Sequence, residues 1–338
     1  MTNGSTSDNY LNSCFLEVKM ESNLKVNISV IVPVYNEENN LLKFNEEVTA
    51  VLSKLNKIWE IIYINDGSDD ESEKILSSIA VQDQHIKVIN FRRNFGQTAA
   101  LSAGINLSKG EIIIPIDADL QNDPRDIPKL LEKIEKGYDV VSGWRKNRKD
   151  KFFSKRLPSM IANKLISVVT GVRLHDYGCT LKAYKREVIK DIKLYGEMHR
   201  FIPVYTSWMG GKIEEIIVNH RPRVHGRSKY GIIRTFKVLL DLITIKFLSS
   251  YAAKPLYLFG GWGLLFLCSG FMFLIILILD KFLYGVSMIR SPLLLLSSML
   301  VILSFQFFLI GLLAEIMIRT YHEAQNKNTY TIKDSLNI

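Results

Sequence analysis

Ile112-Ile113-Ile114-Pro115-Ile116-Asp117-Ala118-Asp119-Leu120-Gln121-Asn122-Asp123-Pro124 is an apolar run that ends in two carboxylates one residue apart. Read as a strand, it brings Asp117 and Asp119 to its carboxyl end, where one of them can hold a divalent cation against a diphosphate. Hard oxygen donors suit Mg2+ or Mn2+. In isolation the triplet reads equally well as a helix cap followed by a turn, so its surroundings decide.

Working outward, apolar runs at Ile28–Val34, Ile61–Ile64, Ile86–Phe91, Glu111–Ile116 and Asp139–Ser142 alternate with helical patterns at Asn39–Leu55, Glu71–Ala80, Gln97–Leu107 and Ile127–Lys136. Strands rich in Ile and Val, interleaved with helices, predict an α/β fold: a mostly parallel sheet covered on both faces. Ligands of such sheets bind at the carboxyl ends of the strands. The other strands end in Ile31-Val-Pro-Val-Tyr-Asn-Glu-Glu38, Ile62-Tyr-Ile-Asn-Asp-Gly-Ser-Asp69 and Asn90-Phe-Arg-Arg-Asn-Phe-Gly-Gln97. Any one of these is turn chemistry. Four at the ends of successive strands point to one nucleotide site. There Glu37 and Asp66 can accept from a base N–H or a ribose hydroxyl, and Gly67 and Gly96 permit backbone conformations closed to other residues. Residues 150–226 have mixed patterns and are expected to complete the acceptor side.

Two apolar runs, Leu256–Leu279 and Leu293–Ala314, each exceed the ~20 residues that cross a bilayer. Residues 1–26 form a polar tail without the apolar core of a secretory signal. Lys246 and Lys254 precede the first span, and Arg319, Lys327 and Lys333 follow the second. This bias predicts that the N-terminal part and the tail 319–338 are cytoplasmic, although Lys281 and Arg290 in the short outer loop weaken it. Three scattered cysteines fit a reducing compartment. The net charge of +9 is compatible with nucleic acid. However, the basic residues cluster close to the spans, seven of them in the twelve residues Arg145–Arg156, and so read first as contacts for anionic lipid heads or phosphates. Gly231–Phe247 has apolar residues at helical spacing and reads as an interfacial amphipathic helix over 231–254. His175, His199, His220 and His225 show no zinc spacing.

Val32-Pro-Val-Tyr-Asn-Glu37, Asn65-Asp-Gly-Ser-Asp69 and Asp117-Ala-Asp119 together resemble the family 2 glycosyltransferases of GT-A, Rossmann-like fold. Asn94-Phe-Gly-Gln97, Asp117-Ala-Asp-Leu-Gln121 and Gly226-Arg-Ser-Lys-Tyr230 narrow the likeness to the branch of dolichyl-phosphate mannose synthase and bactoprenol glucosyltransferase, over about residues 27–320. The resemblance implies a catalytic domain at 27–230, two membrane helices within 255–318, and transfer of a sugar from a UDP- or GDP-sugar to undecaprenyl or dolichyl phosphate. It implies that Pro33, Tyr35, Glu37, Asp66, Gly67, Asn94, Gly96, Asp117 and Ala118 line the nucleotide-sugar site. Asp119, Asp117 and Gln121 would hold the metal, and Arg145 would face the phosphates. Asp176 stands at the position of the family's proposed catalytic aspartate. Arg156, Arg221, Arg227, Ser228 and Lys229 would take the lipid phosphate, and by analogy the chain forms a homo-oligomer. One departure is Asp-Leu-Gln-Asn-Asp-Pro at 119–124, where many relatives read Asp-Leu-Gln-Asp-Pro-Pro; it leaves the roles of Asn122 and Asp123 open.

Three other readings compete. A processive polysaccharide synthase shares the nucleotide site, but its Gln-x-x-Arg-Trp motif is missing here. A dinucleotide-dependent oxidoreductase wants Gly-x-Gly-x-x-Gly after the first strand, where Tyr35-Asn-Glu-Glu38 stands. An inactive membrane adaptor on a transferase fold differs only in lacking turnover.

Overall fold

The computed structural model describes residues 25–146, 157–190, 192, 198–222, 242, 244, 247, 254–285 and 287–324. The N-terminal tail, Arg156, Arg227, Ser228, Lys229 and most of the expected interfacial helix lie outside the described residues. The chain divides into two compact units between residues 242 and 243.

In the first unit, β1 (Ile28–Val34), β2 (Trp59–Asn65), β3 (Ile86–Asn90), β4 (Ile112–Pro115), β5 (Val140–Trp144), β6 (Lys182–Lys185) and β7 (Ile213–Ile217) form one sheet, ordered β3-β2-β1-β4-β6-β5-β7. All neighbours are parallel except β6, which runs against both β4 and β5. Strand order reverses between β1 and β4, and a crevice opens beyond their carboxyl ends at such a reversal. Tyr35–Glu37 and Asp117–Asp119 leave the sheet there.

β1, β2 and β4 are buried on both faces, and β1 and β4 accordingly read as near-continuous apolar runs. Val30, Val32, Ile61, Tyr63 and Ile114 pack on one side under α1 (Glu38–Leu52), α2 (Ser72–Gln82) and α4 (Ile127–Glu135). Ile31, Ile62, Ile64 and Ile113 pack on the other under α3 (Gln97–Leu107), α6 (Arg186–Ile189) and α7 (Ile202–Trp208). β2 begins two residues before the expected Ile61 because Glu60 is a buried member of the strand. Its Oε1 accepts from Ser29 Oγ (2.5 Å) and Lys109 N (2.7 Å), and Lys87 pairs with its other oxygen. α5 (Leu157–Thr170) and β6 and β7 organise the stretch whose sequence pattern was mixed.

The second unit contains α8 (Pro255–Tyr284) and α9 (Pro292–Ala324), both long and apolar enough to cross a bilayer. They pack through small residues. Ser297 Oγ donates to Gly270 O at 2.9 Å, and a Cβ on Gly263 would stand 3.0 Å from the Phe308 ring. Close backbone approach of this kind is how helices associate in lipid, where no hydrophobic force drives them together.

Candidate active site

The loops beyond β1, β2 and β3 are bonded to one another. Asn36 adopts a left-handed conformation (φ 52°), donates its N–H to Ser68 Oγ (3.0 Å) and accepts from Asp69 N (2.8 Å). Glu37 N reaches Ser72 Oγ at 3.1 Å, and the Glu37 carboxylate takes the Asn40 amide at 2.7 Å. Asp66 is buried, and its two oxygens accept from Phe95 N (2.7 Å) and Gly96 N (2.9 Å). Expected to meet a ribose or base, Asp66 also fixes the Asn94–Gln97 loop. Pro33 and Tyr35 are half-buried beside these loops, Asn94 is exposed, and Ala118 is buried in the core.

Gly67 shows why this junction takes glycine. Its φ is +64°, and a Cβ would lie 2.3 Å from the Arg93 carbonyl carbon. The left-handed conformation alone costs a side chain about 1–2 kcal/mol. Gly67→Ala is therefore expected to lower the melting temperature by at least ~2 °C, as thermal unfolding would show.

The end of β4 carries the acidic pair. Asp117 accepts from Gln97 Nε2 at 2.8 Å and Thr180 Oγ1 at 2.6 Å, so α3 and the loop before β6 both orient it. Asp119 is 8% exposed, and its Oδ1 accepts from Gln121 N at 3.1 Å across Leu120, whose φ is +59°. Asn36 and Leu120 are the non-glycine residues with positive φ among the described residues, and both stand at this crevice. Such strain persists where the surroundings impose it, commonly at functional sites. No group of three His, Cys, Asp or Glu side chains able to hold a metal occurs among the described residues. Two carboxylates and the Gln121 amide fit a hard cation that takes its remaining ligands from phosphates and water.

Asp123 differs from Asp119. It accepts from Arg125 Nε (2.9 Å), Arg125 Nη2 (2.7 Å) and Asn219 Nδ2 (3.0 Å), and pairs with Arg221 Nη2 (2.7 Å). Burial raises its carboxyl pKa, but these hydrogen bonds outweigh burial and hold it well below the usual carboxylate range. Arg221 Nη1 donates to Glu47 at 2.6 Å, and Arg221 N to Gln121 O at 2.9 Å. Arg221, expected at the lipid phosphate, is thus committed to two carboxylates and ties the Gln121–Asp123 segment to α1. Asn122 and Asp123, the departure from the family pattern, are the residues pinned.

Further along the sheet, Arg145 Nε and Nη2 donate to the two oxygens of Asp176 at 2.7 and 3.0 Å. Burial works against the Arg145 charge, and the Asp176 carboxylate more than offsets it, so the guanidinium pKa is raised. Gly178 allows this pair its space: a Cβ there would lie 3.3 Å from Arg145 Nη2, 3.5 Å from Asp176 Oδ1 and 3.9 Å from Arg200 Nη1. Arg200 follows His199, whose Nδ1 lies 2.7 Å from Thr98 Oγ1 on the first turn of α3. Lys182 is buried, donates to Tyr177 O at 3.0 Å, and is pushed down to about 8 by burial. Cys179 is a buried thiol pushed up to about 11 by burial. Thr180 joins the site through Asp117, 63 positions away, and His199 through Thr98, 101 positions away, so neither partnership shows in a local window of sequence.

The family model for glycosyl transferase family 2 matches residues 29–193. A dodecaprenyl-phosphate galacturonate synthase from Rhizobium johnstonii is 41% identical over 310 residues, covering 90% of this chain and 92% of that protein. The chain belongs to glycosyltransferase family 2. An undecaprenyl-phosphate 4-deoxy-4-formamido-L-arabinose transferase from Proteus mirabilis is another relative, 35% identical over 312 residues, covering 91% of this chain and 94% of that protein. The family 2 domain shares its fold with glucosyl-3-phosphoglycerate synthase from Mycobacterium tuberculosis, crystallised with Mn2+, UDP and phosphoglyceric acid. That likeness has a TM-score of 0.52 at 19% identity and covers 66% of this chain and 78% of that one. The chain is a glycosyltransferase, and its two apolar C-terminal helices set it at a membrane.

Proposed function

We propose that this enzyme transfers a sugar from a nucleotide-sugar to a polyprenyl phosphate, with its catalytic unit on the cytoplasmic side. The observation that carries the reading is likeness along nine-tenths of the chain to enzymes named for polyprenyl-phosphate acceptors, joined to two membrane-length helices. Pro33, Tyr35, Glu37, Asp66, Gly67, Asn94 and Gly96 form the nucleoside side. Asp117, Asp119 and Gln121 would hold Mg2+ or Mn2+, which when bound neutralises charge growing on the leaving diphosphate. Arg145 adds a fixed positive charge facing the donor phosphates.

In the reaction a phosphate oxygen of the lipid attacks the anomeric carbon and the bond to the nucleoside diphosphate breaks. One displacement inverts the configuration. A phosphate monoester has a second pKa of ~6 and is largely ionised at neutral pH, so the nucleophile needs no strong base. Asp176, locked to Arg145, orients the sugar or acceptor. With Arg221 engaged by Glu47 and Asp123, the acceptor phosphate falls to Arg156, Arg227, Ser228 and Lys229.

The test presents UDP-galacturonate, UDP-4-deoxy-4-formamido-L-arabinose, UDP-glucose and GDP-mannose to the purified full chain, with undecaprenyl phosphate and with or without Mn2+. A lipid-linked monosaccharide from one donor is expected. Polymer formation, or donor binding without lipid product from any of them, would overturn the proposal.

A further inference from the structure

Glu215, on β7, has no part in the chemistry above, yet it holds the loop that carries Asp176. Residues 171–181 belong to no strand or helix, so their backbone N–H groups need other acceptors. Glu215, its side chain 11% exposed, provides one. Its Oε1 accepts from His175 N at 2.9 Å and Asp176 N at 3.1 Å, and its Oε2 lies 2.7 Å from His175 Nδ1. The His175 ring stacks on Trp144 with centroids 4.1 Å apart and planes 16° apart. Trp144 and Arg145 are consecutive where β5 ends, and His175 and Asp176 are consecutive on the facing loop. The aromatic stack and the bidentate ion pair are therefore adjacent rungs between the same two segments. Glu215 comes from the neighbouring strand, in register with Ser142 of β5. Both ends of each rung are thus referred to one rigid sheet.

We propose that Glu215 is a positioning residue for glycosyl transfer: by accepting the backbone N–H groups of His175 and Asp176, it sets where the Asp176–Arg145 pair stands. This rests on the proposed function only in placing that pair at the transfer site. The role depends on reach more than on charge. Glu215→Gln keeps a carbonyl acceptor at the same distance, whereas Glu215→Asp keeps the charge and withdraws it by one methylene.

Steady-state transfer is measured with UDP-galacturonate and undecaprenyl phosphate on the full chain in nanodiscs. Misplacement by about an ångström at a reacting centre costs up to ~100-fold, so Glu215→Asp is expected to lose kcat by about that factor with both KM values within ~2-fold. Glu215→Gln should stay within ~5-fold of wild type. Hydrogen exchange of the 171–181 amides reads the same contact without turnover: faster in Glu215→Asp, unchanged in Glu215→Gln. The reverse ranking of the variants, a change in KM alone, or unchanged exchange in Glu215→Asp would overturn the inference. A wild type that transfers from no donor would sink the proposed function, and exchange would still decide the role of Glu215.

Discussion

Asp119→Ala is expected to lower glycosyl transfer by ~10³-fold, the scale seen when one fixed electrostatic partner of a developing charge is removed. The structure distinguishes Asp119 from the acidic residue four positions later. Asp123 is surrounded by Arg125, Asn219 and Arg221, and its charge is spent on holding the loop. Asp119 is also buried, and its Oδ1 accepts from Gln121 N at the tip of a strained turn. Losing Asp119 should remove Mn2+-dependent UDP binding, read by calorimetry, with little change in melting temperature. Losing Asp123 should do the opposite, because it releases the loop from Asn219 and from one of the two carboxylates that hold Arg221. Full transfer by Asp119→Ala at ordinary Mn2+ would end the metal-site reading.

The parts of the fold legible in the sequence are those in which local pattern and tertiary role agree. α3 runs over the expected Gln97–Leu107, and β1 over the expected Ile28–Val34, because each buries what its periodicity says it should. β6 and β7 were not legible. Lys182-Ala-Tyr-Lys185 and Ile213-Glu-Glu-Ile-Ile217 put charges where strands ordinarily carry apolar residues. Those charges are satisfied from elsewhere: Lys185 by Asp139 at 2.7 Å, Glu214 by Lys133 at 3.3 Å, and Glu215 by the Asp176 loop. The site divides the same way. Residues at strand ends stand out because a polar group after a buried run is conspicuous. Thr98 and His199, 101 positions apart, leave no trace in any window of sequence. Nor does the aspartate-rich segment 117–123 say which carboxylate is structural, since only the partners of each make that difference.

Asp176→Ala should cost both activity and stability, and a double variant separates the two. The side chains of Arg145 and Asp176 are 14% and 4% exposed, and removing one partner of such a buried pair costs about 3–5 kcal/mol because the other charge is left uncompensated. Replacing both by apolar groups of similar volume is often nearly neutral. Arg145→Met combined with Asp176→Leu is therefore expected to recover most of the stability lost in Asp176→Ala, as chemical denaturation of the catalytic unit would report. Under the proposed roles transfer should not recover, because the double variant would lack both the fixed charge and the carboxylate that orients the reactants. If Asp176 were instead an obligatory base, Asp176→Asn would abolish turnover at every pH while binding donor and lipid normally. A positioning carboxylate predicts a residual rate, lowered by about 100-fold, that still follows ionisation of the lipid phosphate near pH 6. A pH–rate profile of Asp176→Asn that keeps this limb supports the orienting role; total loss of turnover with the protein folded and substrates bound would refute it.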